Sequence, residues 1–139
     1  MSTDTHSRPR SPTRRDRAST VLAAAVAGLL GWLVADPIAG IDLTVRQGAG
    51  DEVQHVGPTA VAVAGLVAGL LGWAVLAGLE RVTARARAVW TAVAAGTLVV
   101  SLLGPLAAVN ASTRAALTGL HLLVGAVLIV GLRRTARRS

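Results

Sequence analysis

The chain has 139 residues, 53% of them hydrophobic and only 15% charged, with a formal charge of +7. Water-soluble domains carry about 25% charged residues, and a chain with no Phe, no Tyr and three Trp lacks the aromatic mass their cores bury. The absence of Cys excludes disulfides, thiolate metal sites and any Cys-linked haem or lipid anchor.

The first 17 residues, "MSTDTHSRPRSPTRRDR", are polar and rich in Pro, Ser and Arg, and are expected to form a disordered basic tail. A charge-free run follows over 18–35, the first of four; the others cover 58–79, 88–109 and 115–132. Crossing a hydrocarbon core of about 30 Å takes roughly 17–25 apolar residues. Lipid offers no partners to the backbone, so each run is expected to be a helix. The predicted fold is an all-α membrane protein, a four-transmembrane-helix bundle over 18–132, closed by a basic tail at 133–139. The first run has a basic flank but no clean A-x-A site near its end, so it is expected to be retained as a span rather than cleaved as a signal peptide.

All fourteen basic residues are Arg. Twelve fall in the N-terminal tail, the link between the second and third runs, and the C-terminal tail. Only Arg46 and Arg114 fall on the other side. This bias puts both termini in the cytoplasm of a multi-pass protein of the cell membrane. The clusters are expected to meet the bilayer and its anionic lipid head groups, with five tail arginines holding the N-terminus to the leaflet. Nucleic acid is not an expected partner, because no aromatic residues stand among the arginines to stack on bases.

Between the first two runs lies an outer loop, 36–57. Ile41, Leu43 and Val45 alternate with Asp42, Thr44 and Arg46, which is strand period two, and "VQHV" supplies a return strand after the turn residues "GAGDE". A short extracytoplasmic β-hairpin is expected. Its polar set is Asp36, Asp42, Arg46, Asp51, Glu52 and His55, which reads first as a solvated loop with minor salt bridges and, as the alternative, as two or three residues meeting above His121 to bind a cation or a polar head group.

The seven residues "VAGLLGW" occur at 26–32 and again at 67–73. The copies run in opposite directions through the bilayer, which disfavours duplication. Gly28 and Gly31 in the first span, and Gly65, Gly69 and Gly72 in the second, lie on stripes of small residues, and Gly65 and Gly69 form a GxxxG pair. Such stripes let helices approach closely where the hydrophobic effect gives them no reason to associate. Trp32, Trp73 and Trp90 read as interfacial anchors.

In the third span, Pro105 is expected to kink the helix. His121 in the fourth is the strongly titratable residue within a span, and such a group is a functional candidate. Ser101 on the antiparallel third span lies at a similar depth, so a Ser101–His121 hydrogen bond is expected. His121, Ser101, Asp42, Arg46 and His55 are the candidate ligand or proton site. No His-x-x-x-His or Glu-x-x-His spacing suggests a metal, no cofactor motif is present, and Ser101 has no base-and-acid pair to make it a nucleophile.

The segments "GIDLTVRQG", "SLLGPLAAV" and "HLLVGAVLIVGL" resemble an uncharacterised family of small four-span membrane proteins of high-GC Gram-positive bacteria. The resemblance covers about residues 20–137. It implies the four-span fold in a bacterial cell membrane and draws attention to Asp42, Arg46, Ser101, Pro105 and His121. Two functions follow from the residues. One is a non-enzymatic protein that assembles with itself or a membrane partner through its small-residue faces. The other is a small binding or transport protein for a lipid, a quinone or a proton-coupled solute, with its site between the hairpin and His121.

Overall fold

The computed structural model describes residues 14–47 and 52–136. Residues 1–13 of the expected 1–17 tail, Asp51 with the rest of the hairpin turn, and the last three residues lie outside them. The chain forms α1 (Arg14–Leu33), a two-stranded antiparallel sheet of β1 (Thr44–Arg46) and β2 (Val53–His55), then α2 (Pro58–Val82), α3 (Ala86–Ser101) and α4 (Ala111–Thr135). With their short extensions, four helical segments of 22 to 25 residues are long and apolar enough to cross a membrane. Large hydrophobic residues such as Leu22, Leu30, Leu70 and Val99 stand more than half exposed on their outer faces. In water that would be a liability; in lipid it is the expected exterior.

The helix ends follow local chemistry. Gly57 and Pro58 start α2, where the missing N–H of proline costs nothing. Asn110 caps α4, its side chain accepting from the Thr113 N–H at 2.8 Å. Past Leu33, α1 widens into a π-turn over Val34–Ile38 around Pro37. It closes at Gly40, whose φ of 68° lies in the left-handed region that glycine enters without penalty. Pro105 does something other than kink α3: the helix stops at Ser101, and Pro105 sits buried in a separate 3-10 turn, Gly104–Ala107. The first turn of that tighter helix accepts a residue with no N–H, so the chain reorients there without bending a continuous span.

The four helices close a ring in chain order, with α1 packed on α2 and α4, and α3 packed more thinly on the same two. The repeated heptapeptide does one job at two corners of this ring. In α1, a Cβ on Gly28 would lie 3.2 Å from both Val61 of α2 and Val124 of α4, and one on Gly31 only 2.6 Å from Leu120. In α2, Gly69 faces Val21 of α1 and Gly72 faces Trp90 of α3 and Leu132 of α4. Two glycines three residues apart let a helix approach two neighbours at once. Gly65 meets backbone rather than a side chain, since a Cβ there would come within 3.1 Å of the Ala25 Cα.

Two packed plugs close the ends of the bundle. At the hairpin end, Leu43 is fully buried with Ala108, Leu117 and Leu120, beneath Trp32, Ile41 and Val45. At the Arg-rich end, Leu76, Trp90, Leu132 and Ala136 form the second. Trp32 and Trp90 are packing residues. The Trp32 indole donates to the Val56 carbonyl at 2.9 Å, and Trp90, only 4% exposed, donates to the Ile129 carbonyl at 3.4 Å. Glycine at 72 leaves the room that draws the Trp90 ring inward.

Arg17 belongs to the bundle and not to a tail. α1 begins by Arg14, and the Arg17 guanidinium donates to both Glu80 carboxylate oxygens at 2.7 and 2.9 Å and to the Thr135 carbonyl at 3.3 Å. The pair is about nine-tenths buried and joins α1, α2 and α4. It is therefore withdrawn from any contact with lipid head groups.

Candidate functional site

Between the two plugs lies an elongated cavity of about 590 Å³ walled by α2, α3 and α4. On α2 the wall is Ala60, Ala64, Ala68, Leu71 and Val75, spaced by three or four residues and hence on one helix face. Most of the α3 wall runs from Trp90 through Val93 and Thr97 to Ser101. Those eleven residue-to-residue steps correspond to about 16 Å of helix. The α4 floor includes Leu117, His121, Val124, Gly125 and Leu128. Ala60, Ala64, Ala68, Leu71, Val75, Val93 and Thr97 line the cavity and are also exposed. The space is therefore a groove that opens sideways between α2 and α3.

Among the described residues the lining contains no Arg, Asp or Glu. Its polar groups are Thr97, Ser101, His121 and the Trp90 indole. The structure brings Ser101 and His121 to the same end of the groove, but each bonds within its own helix. The Ser101 hydroxyl donates to the Leu98 carbonyl at 2.7 Å, and His121 Nδ1 donates to the Leu117 carbonyl at 2.8 Å. The expected Ser101–His121 bond does not form, because carbonyls three and four residues back lie within reach of both side chains. His121 Nε2 points to the corner where α3 ends, 3.8 Å from where a Cβ on Gly104 would stand.

The hairpin brings together three of its six polar residues. His55 Nδ1 lies 3.0 Å from Asp42 Oδ1, and Nε2 lies 3.1 Å from Asp36 Oδ2. The first contact is a hydrogen bond. The second is a close contact off the hydrogen-bond line, since that buried oxygen has no donor aligned to it. His55 and Asp42 are half or more exposed, so solvent screens the trio. Arg46 stands apart, exposed on β1 opposite Val53. Asp42 and His55 line none of the groove; Val56, the residue after β2, does. Among the described residues no group of three or more His, Asp or Glu side chains is arranged to hold a metal ion.

The hairpin is anchored by contacts that alternation does not signal. The Val109 N–H donates to the Thr44 carbonyl at 3.2 Å, beside a bridge between Val45 and Ala108. The buried Thr113 hydroxyl donates to the Asp42 carbonyl at 2.8 Å. The α2 wall of the groove was also invisible to sequence reasoning. Its one available signal is the alanine row at 60, 64 and 68, displaced one residue from the glycine row at 65 and 69.

No curated protein and no solved structure matches the chain. Residues 8–138 match a family model covering nearly the whole length, and the chain belongs to that family of unknown function (DUF6069).

Proposed function

We propose that this chain is a multi-pass protein of the cell membrane that binds an elongated apolar molecule drawn from the bilayer, with both termini on the cytoplasmic side. The observation that carries the reading is the groove itself. Its volume lies in the range of small-molecule sites, about 300–1,000 Å³, its walls are apolar, and its few polar groups gather toward the ends. Helices joined only for packing would leave no such space between two plugs. The alternative of assembly through small-residue faces has less support. Gly28, Gly31, Gly65, Gly69 and Gly72 all face neighbours within the chain and leave no face at those positions for a second molecule.

The test is to fill the groove. Ala64→Phe with Ala68→Phe places two rings in it from an exposed wall, where they displace no packed neighbour. Native mass spectrometry of the intact protein released from vesicles should show a retained lipid-sized molecule on the wild type and none on the filled variant, with unchanged thermal unfolding. A wild-type protein that retains nothing, or a filled variant that retains the same molecule, overturns the reading.

A further inference from the structure

The hydrogens at the polar end of the groove are already committed, and this specifies what can sit there. A ring nitrogen that contacts a carbonyl oxygen must carry the proton, so His121 Nδ1 is the N–H of the ring. On the neutral ring Nε2 is then a bare acceptor, and it is the nitrogen that faces the α3 corner. Ser101 has given its single O–H to Leu98, so what remains of its oxygen toward the groove is lone pairs. With the ring neutral, the polar end therefore offers two acceptors, and the nearest uncommitted donor is the Thr97 hydroxyl. Thr97, one turn nearer the middle of the groove, is a hydroxyl free to rotate, and the Trp90 N–H is spent on Ile129 at the far end.

Head groups sort cleanly against such a site. A carboxylate or phosphate would bring its own lone pairs against those of Nε2 and Ser101, with no Arg in the lining to compensate. A carbonyl or ether would likewise place acceptor against acceptor. A hydroxyl donates, and in a lipid-walled groove an unmade hydrogen bond has no water to replace it. Resting on the groove reading above, we infer that the occupant is a neutral amphiphile bearing a hydroxyl group on a long apolar chain, of the chemistry shared by long-chain alcohols, diacylglycerols, polyprenols and quinols. The hydroxyl donates to His121 Nε2 or Ser101 Oγ near the hairpin end, and the chain lies along Leu128 and Val93 toward Trp90.

The probes are hexadecan-1-ol, its methyl ether and palmitate, each titrated against the full-length protein in neutral detergent and read by native mass spectrometry. The alcohol should bind about fivefold more tightly than the ether, the scale of one net hydrogen bond, and palmitate more weakly than either. In Ser101→Ala with His121→Leu the preference for the alcohol should disappear, with the ether binding no more weakly than to the wild type because the opposing lone pairs are gone, and an unchanged thermal unfolding midpoint reports that the variant is folded. Ser101→Ala alone should lose part of the preference. Equal binding of alcohol and ether by the wild type overturns the hydroxyl inference and leaves the groove reading standing. Palmitate as the tightest ligand also overturns it, since the inference excludes an acidic head group. If none of the three binds, the groove reading falls with it. Should the alcohol be preferred, repeating the titration with a diacylglycerol, a polyprenol and a quinol tells these sources apart.

Discussion

The two sides of this helix ring both rest on rows of small residues and behave in opposite ways. Where α1 meets α2, glycines at 65 and 69 bring backbones together so closely that a methyl group at either would press on Ala25 or Val21. Where α2 faces α3, alanines at 60, 64 and 68 meet no opposing wall and a groove remains. Small residues on a membrane helix thus have two uses. They close a seam when the partner approaches, and they leave room when it is held away. Here the holding is done at the ends, by Leu43 under the hairpin and by Trp90 against Leu132.

Breaking the closed side should have the largest consequence. Glu80→Ala leaves the Arg17 guanidinium buried without its carboxylate, and such a loss costs about 3–5 kcal/mol; reversible unfolding in mixed micelles should show it, together with loosening of the α1 and α4 ends. Next is Gly65→Leu, which forces a side chain against the Ala25 backbone. Overpacking of this kind costs about 1–3 kcal/mol, and the upper end is expected because backbone cannot swing aside. Thr113→Val removes the hydrogen bond to the Asp42 carbonyl, at about 1 kcal/mol. Hydrogen exchange should accelerate in the hairpin while the helix centres stay protected. The smallest effect should have the opposite sign. A Cβ at Gly96 in α3 meets nothing within 4 Å, so Gly96→Ala gains helix propensity, up to about 1 kcal/mol, and should raise the midpoint slightly. If Gly65→Leu proved as benign as Gly96→Ala, the distinction between seam and open face would be lost.

Much of the architecture is legible in residue order because it depends on runs and periods. Charge-free stretches delimit four helices, and the alternation of Ile41, Leu43 and Val45 marks the strand whose inward residue, Leu43, becomes a plug. The helix boundaries were less legible. α4 runs Ala111–Thr135 rather than 115–132, since Arg114 and Arg133 interrupt a charge-free run without interrupting a helix. Similarly, α1 starts before residue 18 and α3 gives way to a 3-10 turn before 109. The Arg17–Glu80 pair was within reach: an antiparallel pair of helices brings the start of one level with the end of the next. The groove was not, because an alanine reads the same whether it packs or leaves space. Ser101 and His121 both line the groove, yet their bonds go to Leu98 and Leu117, a choice set by local geometry that spacing does not reveal.

The pinning of the hairpin to the connection between α3 and α4 carries one more consequence. The α2–α3 gap is bounded at one end by the short turn after Val82 and at the other by strands held to Val109 and Thr113. Neither end is free to swing like a gate, so an occupant of the proposed site would exchange sideways, through the exposed side of the α2–α3 gap. Its effective concentration is then its mole fraction in the surrounding leaflets, not its amount in water. Occupancy should follow lipid composition, and dilution into buffer at fixed lipid ratio should leave it unchanged.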